Sequence, residues 1–379
     1  MAKILMINVP AHGHVNPTIA VCKELVERGN EVSYLISDDF KEKIEAVGGK
    51  VISYTNEKFE SEIGRIMTSI DLIYEKAIEI GRDYDYIIYE LMFFRGIELG
   101  EALNKPVIRI ISTFALNEEI MHKMMQLIND NIAETIKIPE NMMKMLSDGS
   151  LDKMMKDIIP KIIQGPELNI VFTSEKFQIS SELFNKKEYK FVGPSITDRK
   201  QENNIPMDKL KEKVIYISLG TVFNNSVSFF NNCIEAFKDT DMSIIMSIGK
   251  NVSKNELLHI PNNFIVREFV PQIEVLKIAD LFITHAGMNS ANEAIYFGVP
   301  VIAVPQSADQ PIVAERMEEL GLGKVIDREE VSAENLRNAA YEVLNDSLYI
   351  ENMKLMKVDM EKGGGFKKAA DYIEEYMGK

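Results

Sequence analysis

The chain has 379 residues, of which 46% are hydrophobic and 27% charged, and its formal net charge is −15. This length favours two or three domains, and the composition is that of an ordinary globular protein. The negative charge argues against non-specific binding to nucleic acid or anionic membranes, since both require cationic patches.

The start of the chain, MAKILMINVPAHGH, is typical of a first β-strand rather than a secretory signal. No apolar run reaches the roughly 18 residues that cross a bilayer, so we expect no stable membrane insertion. The two cysteines, Cys22 and Cys233, lie far apart in helical-looking segments. These features predict a reduced, cytoplasmic protein.

Short apolar runs alternate with amphipathic segments along the whole chain. The first series of predicted strands comprises KILMINV, EVSYLI, YDYIIY, PVIRII and ELNIVFT, and the second comprises KVIYISLGT, MSIIMSIG, FIVREFV, DLFITH and PVIAVP. Strands that alternate with helices predict parallel βαβ units. Ligands of such sheets bind beyond the carboxyl ends of the strands.

A segment rich in proline, asparagine and charge separates the two series, and it has no apolar period. We interpret residues 193–213 as an interdomain linker. The fold class is therefore α/β, with two doubly wound Rossmann-like domains facing a cleft. The predicted domains are residues 1–195 and residues 214–379, and the last helix is a candidate to pack back on the first domain.

The segment Met121 to Gln164 carries Met and Ile at helical spacing, which predicts amphipathic helices inserted into the first domain. Core packing is the favoured interpretation of these apolar faces. An adaptable wall for an apolar acceptor, or a weak membrane contact, is the alternative.

The stretch ADLFITHAGMNSANEAIYFGVPVIAVPQSADQP places polar residues after two successive strands. His285 and Gly287 form a turn before a helix that should end at Gly298, and Asn289 and Ser290 suit its N-cap. The amide groups and dipole of a helix N-terminus favour an anion, and His285 can add a donor.

Two further groups extend this pattern. Glu293 lies one turn into the helix, where a carboxylate can accept from both hydroxyls of a ribose diol. Asp309 and Gln310 follow the next strand and could hold a polyhydroxylated group. Pyrophosphate, ribose and sugar together predict a nucleotide-sugar site. The alternative is a structural histidine, a solvated glutamate and a turn or helix cap at Asp309.

The segment FVPQIEVLKIADLFITHAGMNSANEAIYFGVPVIAVPQSADQ resembles the donor-binding signature of the family 1 UDP-glycosyltransferases, particularly the bacterial macrolide and flavonoid enzymes. The stretches VPAHGHVNPTIAVCKEL, FVGPS and ISLGT are similar to that family too, so the resemblance covers almost the whole chain. It implies a GT-B fold, with the acceptor in the first domain and the donor in the second. It implies a UDP-sugar as co-substrate and no cofactor.

The resemblance also implies roles for single residues. It assigns the diphosphate to His285, Gly287, Asn289, Ser290 and Thr221. It assigns the ribose to Glu293 and the sugar hydroxyls to Asp309 and Gln310. It places Gln272 and the backbone of Val270 near the uracil. Phe269 stands where many relatives have a tryptophan that stacks on the base, and this chain has no tryptophan. Phenylalanine can stack with a smaller face.

The loop PAHGHVNP contains His14, which the resemblance makes the general base. An imidazole suits this task near neutral pH, and a carboxylate is needed to fix its tautomer. The family has an aspartate in that place, and the match in this chain falls on Glu90. We expect His12 to shape the turn.

No metal is expected. The sequence DYD at Asp83 to Asp85 looks like a metal-binding motif, but it precedes a strand and is interpreted as a solvated turn. The chain contains neither a dinucleotide-binding glycine motif nor a P-loop.

The predicted reaction is transfer of a hexose, with glucose the first candidate, from a UDP-sugar to a hydroxyl of a small apolar aglycone, with inversion. The alternatives are a UDP-sugar epimerase on the same fold and a nucleotide-sugar-binding module without catalysis. The sequence leaves the natural acceptor and the oligomeric state open. It also leaves open whether the sugar is glucose, galactose or N-acetylglucosamine, and whether the nucleotide is UDP or TDP.

Overall fold

The computed structural model describes residues 1–54, 62–123, 156, 159–197, 205–206, 209–220, 226–306 and 309–378, with residues 62–68 described by their backbone alone. The chain divides into two compact units. The first comprises Met1–Ile196 and Lys362–Lys379, and the second comprises Thr197–Glu361.

The strands are β1 Lys3–Ile7, β2 Glu31–Leu35, β3 Lys50–Ile52, β4 Tyr86–Glu90, β5 Val107–Ile111, β6 Leu168–Val171, β7 Tyr189–Phe191, β8 Val214–Ser218, β9 Ser243–Ser247, β10 Phe264–Arg267, β11 Leu281–Thr284, β12 Val301–Ala303 and β13 Gly323–Val325. The helices are α1 His12–Glu27, α2 Lys41–Glu45, α3 Glu62–Ile80, α4 Gly96–Leu103, α5 Val227–Phe237, α6 Gln272–Leu276, α7 Met288–Phe297, α8 Gln310–Glu319, α9 Ala333–Asn345, α10 Ser347–Lys362 and α11 Gly365–Tyr376.

The first unit contains a parallel sheet in the order β3-β2-β1-β4-β5-β6-β7. Side chains of a strand alternate between the two faces of its sheet. Ile4 and Met6 of β1 therefore pack in one core with α1 and α11, whereas Leu5 and Ile7 pack in another with α3 and α4. Because helices cover both faces, the strands are apolar on both sides.

The second unit contains a parallel sheet in the order β10-β9-β8-β11-β12-β13. Ile215 and Ile217 of β8 pack with α5 and α9 in one core. Tyr216 lies between them in sequence and faces the other way, and its ring stacks on Phe282 of β11 with centroids 4.5 Å apart.

Both sheets reverse their strand order at a central pair, between β1 and β4 in the first and between β8 and β11 in the second. Such a reversal opens a crevice beyond the carboxyl ends of the two strands, where open α/β sheets bind their ligands. The segment with His14, which opens α1, follows β1, and the turn with His285 follows β11. Both predicted polar loops thus begin at a reversal point.

The predicted α/β class with doubly wound parallel sheets is confirmed, and every strand predicted from an apolar run is present. The structure adds β3, β7 and β13, each a three-residue strand at a sheet edge. Most of the segment Met121 to Gln164 lies outside the described residues. Within the described ranges, no helix has the length and hydropathy to cross a membrane.

Candidate active site

Three side chains from neighbouring strand ends meet in the first unit. His14 lies in the first turn of α1, Glu90 is the last residue of β4, and Ser112 directly follows β5. The Nδ1 atom of His14 is 2.9 Å from Glu90 Oε1 and 2.9 Å from Ser112 Oγ, and Ser112 Oγ is 2.8 Å from Glu90 Oε1. The three polar atoms therefore form a nearly equilateral triangle.

Glu90 is held from several sides within this triangle. Its side chain is 0% exposed, and its Oε2 accepts from the Met92 backbone N–H at 2.9 Å. Burial alone would raise the pKa of the Glu90 carboxyl. The charge and hydrogen bond of His14, the Met92 amide and the Ser112 hydroxyl act against burial, and together they lower the pKa below its ordinary value. Glu90 is therefore an ionised carboxylate at neutral pH.

The triangle selects one tautomer of His14. An ionised carboxylate can only accept, so Nδ1 must carry a hydrogen to approach Glu90 at 2.9 Å. Ser112 then donates its own hydrogen to Glu90 and offers an oxygen lone pair to the same N–H. Nε2 is left as the acceptor nitrogen of the ring. The side chain of His14 is 24% exposed, so it lies at the surface of the unit.

The backbone of His14 is fixed too. Asn8, which follows β1, is fully buried and donates from Nδ2 to the His14 carbonyl at 2.9 Å. Sequence reasoning missed both Asn8 and Ser112, because each stands beside an apolar run and carries no motif. His12 is exposed at the start of α1, and its ring lies 4.9 Å from that of Phe40.

Asp83 and Asp85 stand apart from this cluster. They precede β4, whereas Glu90 is its last residue, so they lie at the opposite end of this strand. Asp85 accepts from the Lys3 backbone N–H at 2.8 Å, which joins the starts of two strands. Among the residues that the structure describes, no three His, Cys, Asp or Glu side chains come together as a metal site.

In the second unit, the imidazole of His285 is packed between two glycines. A Cβ atom at Gly220 would lie 2.6 Å from His285 Cε1, and one at Gly287 would lie 2.6 Å from His285 Nε2. Gly220 also has a φ of +75°, and Ala286, a residue with a side chain, has a φ of 59°. The backbone thus adopts uncommon conformations on both sides of this ring.

His285 is neutral at physiological pH. Burial lowers its pKa to about 4, although a hydrogen bond with the Ser218 backbone acts in the opposite direction. A neutral imidazole carries one N–H donor and one acceptor nitrogen. The hydrogen bond with the Ser218 backbone uses this N–H, so a second donor toward an anion requires protonation of the ring.

Helix α7 begins two residues earlier than an N-cap at Asn289 would require. Gly287 is the N-cap, with extended φ and ψ of −62° and 144°, and Met288 is the first helical residue. The prediction of Asn289 and Ser290 as N-caps was therefore wrong. They occupy the first turn, whose backbone N–H groups have no acceptors within a helix. Gly298 ends the helix, as predicted, and its backbone lies in the left-handed region.

Four side chains form a hydrogen-bond chain behind this turn. Gln272, at the start of α6, donates from Nε2 to Glu293 Oε2 at 2.6 Å and more distantly to Ser290 Oγ at 3.4 Å. The hydroxyl of Tyr216 donates to Gln272 Oε1 at 3.1 Å. Glu293 is 3% exposed. Sequence reasoning missed Tyr216, which looks like one more core residue of β8.

Beside this chain, Phe269 presents an open aromatic ring. It follows β10 and is 51% exposed, with Lys250 Nζ 5.8 Å from its centroid. Val270 is half-buried next to it. An exposed ring of this size offers a stacking surface.

The predicted sugar-binding pair lies at the next strand end. Asp309 is the N-cap residue of α8, and Gln310 is the first residue of that helix and 5% exposed. Gln310 Oε1 accepts from the Gln306 backbone N–H at 2.8 Å, which fixes the amide. Thr221, the remaining predicted donor residue, lies outside the described residues.

The fold is that of known glycosyltransferases. The solved glycotransferase of kitacinnamycin superposes with a TM-score of 0.81 at 26% identity, over 99% of this chain and 98% of that chain. Two parallel-sheet units of this kind define the GT-B class.

Sequence comparisons give the family. The profile described as UDP-glucoronosyl and UDP-glucosyl transferase matches residues 201–363. The uncharacterized UDP-glucosyltransferase YojK of Bacillus subtilis (strain 168) is 38% identical over 99% of this chain and 97% of its own length. The NDP-glycosyltransferase YjiC of the same organism is 36% identical over the same shares. The chain therefore belongs to the UDP-glycosyltransferase family and is a UDP-dependent glycosyltransferase.

Proposed function

We propose that this enzyme transfers a hexose, with glucose the first candidate, from a UDP-sugar to a hydroxyl of a small apolar molecule, with inversion and without a metal or cofactor. The observation that carries the proposal is the 2.9 Å contact between His14 Nδ1 and Glu90 Oε1. It favours a ring whose Nε2 can take a proton from an acceptor hydroxyl.

The reaction is a single displacement. His14 Nε2 accepts the proton while the acceptor oxygen forms a bond to the anomeric carbon. The bond between that carbon and the β-phosphate oxygen breaks, and UDP leaves with the electron pair. Glu90 stabilises the imidazolium that results, by the logic of catalytic triads. The proton passes from His14 to solvent when the product leaves.

The donor is held by the second unit. The first-turn amides of α7 donate to the diphosphate, which makes a metal unnecessary for its charge, and His285 contacts the same group. Glu293 accepts from the ribose hydroxyls, and Phe269 stacks on the base. Asp309 and Gln310 bind the sugar. The family resemblance supports these roles and adds Thr221 for the phosphates and the Val270 backbone for the uracil.

Glucose is supported by the name of YojK, whereas the name of YjiC leaves the nucleotide open. The acceptor class follows from the resemblance.

Cys22 and Cys233 are both free and buried, which supports the cytoplasmic location that we propose.

Product analysis tests the proposal against its two rivals. Purified enzyme is incubated with UDP-glucose, an aglycone panel and EDTA, and products are identified by mass spectrometry and NMR. We expect β-glucosides in the presence of chelator. A new UDP-sugar formed without acceptor would show an epimerase, and UDP-glucose binding without any product would show a binding module. Activity that needs added magnesium or manganese would contradict metal independence.

A further inference from the structure

The hydroxyl of Tyr216 is buried in the second unit at the back of the proposed donor site. The residue is 1% exposed, and its ring is fixed by the stack on Phe282. Burial raises the pKa of this phenol, so the hydroxyl is protonated at neutral pH. Tyr216 is thus a hydrogen-bond donor there.

This hydroxyl donates to the amide oxygen of Gln272 at 3.1 Å, and its oxygen accepts from the Ser218 side chain. The other end of the same amide donates to Glu293 Oε2 at 2.6 Å. A rotated amide would place its oxygen against the carboxylate of Glu293, where two acceptors would face each other. Tyr216 and Glu293 therefore require the same orientation of Gln272, and each supports the contact made by the other.

We infer that Tyr216 is a positioning residue that aims the Glu293 carboxylate at the ribose diol through Gln272. The inference rests on the proposed function in one respect, namely that Glu293 binds the ribose hydroxyls. Its consequence concerns ligand choice: Tyr216 sets how strongly the enzyme prefers a ribonucleoside diphosphate over its 2′-deoxy counterpart. A carboxylate that can turn away gains less from the 2′-hydroxyl.

The test compares UDP with 2′-deoxy-UDP by isothermal titration calorimetry. Wild-type protein should bind UDP roughly 10- to 100-fold more tightly, as expected for a hydrogen bond to a charged group. Tyr216→Phe keeps the ring and its stack but removes the donor. We expect this variant to lose most of the preference, to within about threefold, chiefly by weaker binding of UDP.

Tyr349→Phe is the matched control. The hydroxyl of Tyr349 donates to a side-chain oxygen too, Glu342 Oε1 at 3.3 Å, and its side chain packs on the opposite face of the same sheet. Its loss should leave the preference unchanged. If Tyr216→Phe fails to fold, Gln272→Met removes the bond to Tyr216 together with the bond to Glu293, and it should abolish the preference.

The outcomes separate the inference from the function on which it rests. A wild-type protein that binds UDP and 2′-deoxy-UDP equally would contradict the ribose role of Glu293. A wild-type preference that Tyr216→Phe retains in full would overturn the positioning role of Tyr216 alone. The same holds for Gln272→Met if it is used in place of the phenylalanine variant.

Discussion

At the scale of single residues, the first unit uses three hydrogen bonds to prepare one imidazole. Glu90 fixes the tautomer of His14, and Ser112 and the Met92 amide fix Glu90. The family resemblance implied a shorter aspartate in place of Glu90. The longer side chain of Glu90 still contacts His14, because the Ser112 hydroxyl holds one of its oxygens and the Met92 amide holds the other.

This arrangement predicts graded losses of activity. Glu90→Gln should lower kcat roughly 10- to 100-fold, less than loss of the base itself. The acid limb of its pH–rate profile should move to lower pH, since the neutral imidazole is favoured once the carboxylate charge is gone.

Ser112→Ala should lower kcat roughly three- to tenfold, the effect of one hydrogen bond. Ser112→Thr, which keeps the hydroxyl, is the control. A Ser112→Ala enzyme with wild-type kcat and pH profile would contradict the role of Ser112.

His285 leads to a stability prediction. Its pKa is about 4 in the folded protein, below the ordinary value of about 6.5. Protonation therefore favours the unfolded state, and the contribution of His285 to stability is full above pH ~6.5 and falls as pH drops from there towards 4. His285→Gln should flatten the pH dependence of Tm in that window.

The exposed His12 provides the control for this measurement. His12→Gln should leave the slope of Tm against pH as it is in the wild type. Equal slopes for all three proteins would show that His285 is not held neutral by the fold.

At the scale of elements, the last helix is tied to the first. Arg28, at the end of α1, contacts Glu24 of its own helix and Asp371 and Glu374 of α11, with N–O distances of 2.9 to 3.2 Å. It also donates to the Lys367 carbonyl at 3.2 Å. The planar guanidinium reaches several acceptors at once, which a lysine cannot do.

Arg28→Ala should therefore loosen α11. Since these charges are partly exposed, the loss is about 1 kcal/mol, or roughly 2–4 °C in Tm. Amide hydrogen exchange should increase in α11 before it does in the sheet. Lys23→Ala removes an exposed pair with Glu27 on the same helix and should change neither quantity. Protection of α11 that is unchanged in Arg28→Ala would refute the anchoring role.

At the scale of the whole molecule, the sequence predicted the features that depend on local pattern. Apolar runs predicted ten of the thirteen strands in the described residues, including β10 at a sheet edge and the three-residue β12. They could not predict β3, β7 and β13, because three residues at a sheet edge bury too little to leave a pattern. His285 and Glu293 were found because they follow a strand within one short stretch.

Ser112 and Tyr216 could not be found in this way. Ser112 meets His14 across 98 residues of chain, and Tyr216 meets Gln272 across 56. Their roles follow from the sheet order, which brings separate strand ends together. The net charge of −15 is a further property of the whole chain. It means that a UDP-sugar must be attracted by local donors rather than by the overall field.

The central claim is that His14 is the base, whereas the donor is held by the second unit. Its most direct test is the turnover of His14→Ala at saturating UDP-glucose with an aliphatic alcohol, alongside the Kd for UDP. We predict that kcat falls by about 10²- to 10⁴-fold while the Kd stays within a few-fold of wild type. The loss should be smaller for an acidic acceptor such as a nitrophenol, which needs less help to lose its proton. A His14→Ala enzyme that transfers sugar to the aliphatic alcohol within a few-fold of the wild-type rate would contradict the mechanism.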